Sequence, residues 1–323
     1  MENPALERTR NLMDDLSALL LTVGEEEFLK AEVSVRKQSL PPVAVHIVKN
    51  ESPFARAFNK GVCLVETPYF VQVDADMNLD LECFEVLRRA VHENVGVVIG
   101  HLRDPLQGII QGVKLFKTQF CRDFPLQDTL TCETDQVRLL DSAGLESVIL
   151  DRDITLGTHR LIPGDSTYIF ERFWLLGRKA RSRQSWWNVG FRLGNLGRSG
   201  LPQSILAAAA FACGFWHQNY QNFQKPLDLV SSLQRYLERE KSASRHLGSL
   251  TLPEPMEGAF LRGLQMDKSM RPSSVVGRCL EVNTPRSWSF LLGYSANLFS
   301  PDATTPPDPP QGLLPQLERQ WST

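Results

Sequence analysis

The sequence predicts an α/β fold, with a mainly parallel sheet flanked by helices and a mostly helical C-terminal extension. Three observations predict it. Short apolar runs alternate with helical patterns through the first half of the chain. These runs are nearly continuous, which is typical of strands that are buried on both faces of a sheet. Beyond about residue 165 the strand signals fade, and aromatic, arginine and small residues dominate.

The first strand is predicted over residues 16–23 (LSALLLTV), a continuous apolar run. Residues 25–27 are glutamates, and the helical pattern that follows ends in Arg36-Lys37. Acidic residues at the start of a helix and basic residues at its end interact favourably with the helix dipole. Pro41-Pro42 then breaks the chain before a second predicted strand over residues 43–48.

A further unit of the same kind follows. Ser52-Pro53 opens a predicted helix, which ends before the apolar strand over residues 69–73. A helix over residues 80–92 and a strand over residues 95–99 come next. In such sheets ligands bind beyond the carboxyl ends of the strands, and Asp74 stands at such an end.

The remaining elements are less regular. Residues 108–120 fit either a strand or a helix, whereas residues 131–140 fit a helix that ends at Gly144. Residues 204–216 (SILAAAAFACGFW) are too few to span a bilayer, which needs roughly 20 apolar residues. They fit a buried helix or an interfacial one. The predicted organisation is a first domain over 1–164, a helical region over 165–300 and a flexible Pro-rich tail over 301–323.

Composition narrows the class of protein. The 323 residues carry a formal net charge of −2, so no global charge favours nucleic acid. The six cysteines form no C-x-x-C pair, which argues against a zinc site or a redox dithiol and favours reduced thiols in the cytoplasm. The N-terminal residues are polar and acidic and lack the apolar core of a signal peptide.

The tripeptide Asp74-Ala75-Asp76 is the main candidate for chemistry. In an extended segment the two carboxylates diverge, so one can meet a divalent cation while the other meets a sugar hydroxyl or a water. Asp-x-Asp is a weak motif on its own, since Asp151-Arg152-Asp153 has the same spacing in this chain. The second pair continues directly into an apolar run and is interpreted as a strand edge or turn.

Several segments together resemble glycosyltransferase family 2. Residues 22–29 (TVGEEEFL) resemble the family's T-Y-N-E-E-x-Y-L, and residues 57–61 (AFNKG) resemble A-x-N-x-G. Residues 67–79 (TPYFVQVDADMNL) resemble its D-A-D segment, and residues 132–144 (CETDQVRLLDSAG) resemble x-E-D-x-D-L-x-x-R-L-x-x-A-G. His159 stands where the family often has a histidine. The segments occur in the family's order and spacing over about half the chain.

The resemblance implies a GT-A fold, Rossmann-like, and transfer of a sugar from a nucleotide-sugar with inversion at the anomeric carbon. It implies a divalent metal, Mn²⁺ or Mg²⁺, and a donor that is a UDP-sugar or carries another base. By the resemblance the nucleotide-sugar contacts are Thr22, Asn50, Asn59 and Asp74. The metal ligands are Asp74, Asp76 and His159.

The resemblance places the catalytic base among the acidic residues after Thr131. Counting back from Ala143-Gly144 puts Glu133 at the family's base position, and Asp135 falls on the second acidic position. Glu133 is the preferred base, with Asp135 as the alternative. The family usually has an acid at the end of its second strand, where this chain has Lys49-Asn50. Without the resemblance, both acids are ordinary first-turn residues that favour a helix N-terminus.

Residues 171–198 combine seven basic residues with three tryptophans and a single acid, Glu171. Three interpretations stay open: peripheral contact with the anionic inner face of a membrane, a wall of the acceptor site, or solvated helices with tryptophans in the core.

The acceptor is expected to be a glycan or a lipid-linked hydroxyl. A GT-A-like module that binds a nucleotide-sugar without catalysis is the alternative function. A nucleotidyltransferase is disfavoured, because the loop after the first strand is acidic and nearly glycine-free.

Overall fold

The computed structural model describes residues 15–160, 166–182, 192–193, 195–196, 203–216, 279 and 291. The chain forms two compact units, Met1–Ile162 and Pro163–Thr323. The first unit contains a sheet flanked by helices, which confirms the predicted α/β class. The described residues of the second unit are helical. The predicted tail over 301–323 lies outside the described residues.

The strands and helices follow one another in the predicted order. The strands are β1 (Leu16–Thr22), β2 (Val45–Lys49), β3 (Tyr69–Asp74), β4 (Met77–Leu79), β5 (Val95–Asp104), β6 (Gly108–Lys117), β7 (Glu146–Ile149) and β8 (Thr155–His159). The helices of the first unit are α1 (Phe28–Arg36), α2 (Phe54–Leu64), α3 (Cys83–Arg89), α4 (Thr118–Asp123) and α5 (Cys132–Val137), with a 3₁₀ turn at Asp141–Ala143. The second unit contains α6 (Ser166–Ser182) and α7 (Gln203–Trp216).

The sheet is mixed, with the order β2-β1-β3-β6-β5-β8-β4 and with β7 paired to β5. The parallel pairs are β1–β2, β1–β3, β5–β7 and β5–β8. The antiparallel pairs are β3–β6, β5–β6 and β4–β8. Since β6 is antiparallel to both β3 and β5, the strands β1, β2, β3, β5 and β8 all run in one direction. Their carboxyl ends therefore lie at one edge of the sheet.

The core occupies both faces of this sheet. Leu20 and Val73 belong to one apolar cluster, and Leu19, Phe70 and Phe116 belong to the other. Successive side chains of a strand point to opposite faces, so a strand covered on both sides is apolar at every position. This requirement explains the continuous apolar runs in the sequence.

Four segments differ in detail from the sequence-based predictions. Residues 108–120 resolve into β6 followed by α4, and the strand predicted over 95–99 continues to Asp104. The helices predicted over 80–92 and 131–140 are shorter, because their ends tighten into turns. For example, the N–H groups of Leu139 and Leu140 donate to carbonyl oxygens only three residues back. Gly144 ends the following turn in the left-handed conformation, as predicted.

In the second unit, α7 is the buried helix predicted from residues 204–216, since most of its described side chains are inaccessible to solvent. Trp174 and Arg178 of α6 are also buried, and the Arg178 guanidinium lies 4.8 Å from the centre of the Trp174 ring. Among the described residues, no helix has the length and apolar character that a membrane crossing requires. Trp186 and Trp187 lie outside the described residues.

The pairing of β4 with β8 depends on Gly157. Its φ is +150°, and a Cβ at this position would lie 2.4 Å from the carbonyl oxygen of Asn78. We expect Gly157→Ala to lower the free energy of unfolding by about 2–4 kcal/mol, since it adds both overpacking and backbone strain. Urea denaturation followed by circular dichroism measures this change.

Gly108→Ala is the matched control for this prediction. Gly108 also has a positive φ, +68°, but a Cβ there would meet no atom within 4 Å. Gly108→Ala should therefore lower the free energy of unfolding only through backbone strain, by about 1 kcal/mol. Equal losses in the two variants would contradict the steric explanation.

Candidate active site

The candidate site lies at the edge of the sheet where β1, β2, β3, β5 and β8 end. The last residues of β1, β2, β3, β5 and β8 are Thr22, Lys49, Asp74, Asp104 and His159. Carboxyl ends of parallel strands are where α/β proteins place ligands. The edge thus brings together polar side chains that are separated by up to 137 residues in sequence, from Thr22 to His159.

Asp74 is surrounded by polar groups of β3 and β6. Gln72 pairs with Lys114 across these strands, so both side chains lie on the face that also carries Asp74. The Gln72 Nε2 donates to Asp74 Oδ1 at 2.5 Å. On the other side, the Lys114 ammonium forms an ion pair with Glu133 at the start of α5. The predicted base and the predicted donor-binding acid are therefore linked to one lysine.

The pKa of Asp74 is raised to about 7, first by burial and then by the negative charges of Asp76 and Glu133, while Lys114 opposes the rise. Burial lowers the pKa of Lys114, but Glu133 and Asp74 more than offset this effect, so its pKa is raised overall. The electrostatics favour a bound cation, because a positive ion would relieve the repulsion between Asp74 and Asp76.

His159 lies between two aspartates. Its Nε2 is 3.4 Å from Asp76 Oδ2, and its Nδ1 is 3.2 Å from Asp104 Oδ2. The backbone N–H of Arg160 donates to the Asp76 carbonyl oxygen at 2.8 Å, which fixes the turn after β3 against the end of β8. The pairing of Met77 with His159 in β4 and β8 sets this arrangement.

The Asp76–His159 pair is suited to a divalent cation, because a carboxylate oxygen and an imidazole nitrogen face each other. Within the described residues, no group of three or more His, Cys, Asp and Glu side chains has a metal-binding arrangement. Two protein ligands are nevertheless typical of Mg²⁺ sites that are completed by water and substrate phosphates. An imidazole among the ligands favours Mn²⁺.

Thr22 and Asn50 meet at the same edge. The Asn50 N–H donates to the Thr22 carbonyl oxygen at 2.8 Å, and Asn50 has a φ of +56°. The Thr22 hydroxyl donates to Glu25 Oε2 at 2.7 Å and accepts from the Gly24 N–H at 3.0 Å. The loop after β1 is therefore closed on itself, while the side chain of Asn50 is exposed.

Asn59 has a structural role in the described residues. Its Nδ2 donates to the Leu126 carbonyl oxygen at 2.8 Å, and its Oδ1 accepts from the Leu126 N–H at 2.9 Å. Both functions of the amide thus hold the segment before α5 against α2. The predicted contact of Asn59 with a nucleotide-sugar stays a prediction.

The two candidate bases differ in their surroundings. Asp135 Oδ2 accepts from the hydroxyl groups of Thr129 and Thr131, each at 2.7 Å, and so fixes the start of α5. Glu133 instead reaches Lys114 in the interior of the site.

The second Asp-x-Asp is a turn, as predicted: Asp151 Oδ1 accepts from the Asp153 N–H, and both side chains are exposed.

Sequence analysis missed Lys114, Gln72 and Asp104. Gln72 could have been found from strand alternation, since it lies two residues before Asp74 on the same face of the predicted strand. Lys114 could have been found only if residues 108–120 had been assigned as a strand. Asp104 could have been found if the strand over 95–99 had been extended to its end at the Asp-Pro turn.

No protein-family model matches the chain, and no curated protein matches it in sequence. Its structure is similar to that of a mannosyltransferase, PcManGT from Pyrobaculum calidifontis, in complex with GDP-Man and Mn²⁺. The identity is 13%, the match covers 93% of this chain and 95% of that chain, and the TM-score is 0.43.

Two further solved structures are similar. One is S. aureus TarS 1–349 in complex with UDP, with 12% identity, coverage of 72% of this chain and 93% of that chain, and a TM-score of 0.35. The other is glucosyl-3-phosphoglycerate synthase from Mycobacterium tuberculosis in complex with Mn²⁺, UDP and glucosyl-3-phosphoglycerate. Its identity is 13%, with coverage of 46% of this chain and 73% of that chain and a TM-score of 0.34.

The raised pKa of Asp74 predicts a pH-dependent stability. The folded-state pKa lies above the ordinary value, so the protonated form stabilises the fold, and this contribution is lost as the pH rises from about 4 to about 7. Asp74→Asn should therefore raise the free energy of unfolding at pH 8, by on the order of 2 kcal/mol, and change it little at pH 4. Because the Asp74 side chain is partly exposed, solvent screens part of this effect.

Urea denaturation in the presence of a metal chelator measures this effect at both pH values. Asp151→Asn is the control, since Asp151 is an exposed acid in the same type of tripeptide. The free energy of unfolding of Asp151→Asn should not rise between pH 4 and pH 8 relative to the wild type. Destabilisation by Asp74→Asn at pH 8 would contradict the electrostatic account.

Proposed function

We propose that the protein is a GT-A-type glycosyltransferase that uses a divalent metal. It transfers a sugar from a nucleoside diphosphate sugar to an acceptor hydroxyl with inversion. The observation that carries the proposal is the pairing, at one sheet edge, of Asp76 and His159 beside Asp74, Lys114 and Glu133. The order of Asp74, Asp76, Glu133 and His159 in the sequence, which resembles that of glycosyltransferase family 2, supports it independently.

Asp76 and His159 are the residues that would hold the metal, with Asp74 near them. When bound, the ion would supply positive charge that stabilises the departing nucleoside diphosphate. Asp74 ends β3 and accepts a hydrogen bond from Gln72. This placement suits an acid that meets the ribose or a metal-bound water.

The nucleobase would lie against the loop after β1 and the end of β2. The exposed amide of Asn50 offers both a donor and an acceptor, which suits the edge of uracil in a UDP-sugar and suits other bases as well. Lys49 is held near this edge, with its ammonium 5.4 Å from the centre of the Phe28 ring. Thr22 would contribute through its backbone, since its hydroxyl already bonds within the loop.

Glu133 is the proposed base. It would take the proton of the acceptor hydroxyl as the hydroxyl oxygen forms a bond to the anomeric carbon and the bond to the diphosphate breaks. Attack from the face opposite the leaving group inverts the anomeric centre. Lys114 holds the Glu133 carboxylate in the site, and Asp135 fixes the helix start that carries it.

The acceptor is proposed to be a glycan or a lipid-linked hydroxyl, and the location is proposed to be cytoplasmic. Peripheral contact with the inner face of a membrane through residues 171–198 would have to use residues other than Trp174 and Arg178, which are buried.

The alternative function is a GT-A-like module that binds a nucleotide-sugar without turnover. The ion pair of Glu133 with Lys114, together with Lys49-Asn50 at the end of β2, favours it.

A panel of nucleotide-sugars with Mn²⁺, read out by release of nucleoside diphosphate, tests the proposal. Asp76→Asn should lower this release by at least about 100-fold, because it removes a ligand of the ion that stabilises the leaving group. Asp151→Asn should retain the wild-type rate. Binding without release in the wild type would support the non-catalytic module instead.

Glu133→Gln separates catalysis from binding. The amide keeps an oxygen acceptor for Lys114 but cannot act as a base, so the turnover number should fall by about 10²- to 10⁴-fold while the affinity for the nucleotide-sugar is kept. The turnover number of Asp135→Asn should fall much less, because an amide oxygen can still accept from the hydroxyl groups of Thr129 and Thr131. A larger loss in Asp135→Asn would reassign the base.

A further inference from the structure

We infer that Asp104 is a positioning residue that selects the tautomer and the orientation of His159 and so prepares its Nε2 to bind a metal. The inference rests on the proposed function, since it assumes that His159 is a metal ligand. Asp104 itself would not touch the metal or the substrate. It would act through the imidazole ring.

The geometry of the Asp104 carboxylate is the first observation. Its side chain is wholly inaccessible to solvent, with 0% exposure. Oδ1 accepts from the backbone N–H groups of Leu106 and Gln107, at 2.9 and 2.8 Å, in the turn between β5 and β6. Oδ2 faces His159 Nδ1 at 3.2 Å. The first oxygen thus anchors the turn, and the second contacts the imidazole.

The consequence for His159 follows from its two nitrogens. A carboxylate oxygen at Nδ1 accepts a hydrogen bond, which favours the tautomer with the proton on Nδ1. In the neutral ring, Nε2 then presents a lone pair towards Asp76 Oδ2, 3.4 Å away. Two acceptors face each other across this distance, an arrangement that a cation between them stabilises. Carboxylates that orient metal-binding histidines in this way commonly change the metal affinity by about 10- to 100-fold.

The fold explains why Asp104 and His159 meet. β5 and β8 are parallel neighbours, with Arg103 in register with Thr158, so the next residues along both strands lie side by side at the edge. The β5–β6 turn closes directly after Asp104 and anchors its carboxylate. The contact is therefore rigid, since it joins the ends of two paired strands.

Asp104→Asn tests the inference. The amide oxygen can still accept from Leu106 and Gln107, but the amide nitrogen donates to Nδ1 and favours the tautomer with the proton on Nε2. We expect the affinity for Mn²⁺, titrated alone and with UDP or GDP and followed by electron paramagnetic resonance of the free ion, to fall by about 10- to 100-fold. The modulation from a coordinated imidazole nitrogen in the spin-echo spectrum should disappear. Asp151→Asn, which alters a similar turn away from the site, should bind as the wild type does.

The double variant Asp104→Asn/His159→Ala shows whether the aspartate acts through the histidine. It should bind Mn²⁺ no more weakly than His159→Ala alone. Additive losses of affinity in the double variant would overturn the inference. So would an Asp104→Asn variant that keeps the wild-type affinity and nitrogen signal while His159→Ala loses both. Either result would leave the proposed function intact. A wild type that binds no Mn²⁺ under any of these conditions would overturn the metal site and this inference together.

A measurement on the wild type does not depend on the folding of a variant. Nitrogen-15 NMR of the His159 ring with Mg²⁺ and UDP should show a proton on Nδ1 and none on Nε2. A proton on Nε2 would overturn the inference even if Asp104→Asn fails to fold.

Discussion

The repulsion between acidic side chains at one edge of the sheet is the constraint on which the proposed chemistry of the site depends. Asp74, Asp76 and Glu133 lie close enough for each negative charge to act on Asp74, whose pKa rises to about 7. Lys114 forms an ion pair with Glu133, and His159 faces Asp76. A protein gains nothing in stability from repulsion between its acids, and sites of this kind are typical of function. A bound cation would offset the negative charge.

The direction of the strands creates this edge. β6 runs antiparallel between β3 and β5, so the two halves of the sheet point the same way although they are distant in sequence. The hydrophobic core on both faces constrains the register of each strand, because a shift by one residue would move every side chain to the opposite face, into packing that is shaped for other residues. The positions of Asp74, Asp104 and His159 are thus consequences of core packing.

The sequence predicted much of the fold and part of the site. Continuous apolar runs identified the strands that end at Thr22 and Asp74, since burial on both faces leaves a strong signal. The ends of β5 and β6 could not be predicted, because their outer halves mix polar and apolar residues as they approach the site. Asp104 and Lys114 were missed for that reason. For Asn59 the motif match predicts a ligand contact, but it cannot reveal that the amide is already bonded to Leu126.

A crystal structure of the protein with Mn²⁺ and UDP tests the central claim most directly, through the anomalous scattering of manganese. The account predicts an anomalous peak within coordination distance, about 2.0–2.3 Å, of a carboxylate oxygen of Asp76 and of His159 Nε2. A peak elsewhere, such as at Asp151 and Asp153, or no peak at a concentration that supports binding in solution, would contradict it.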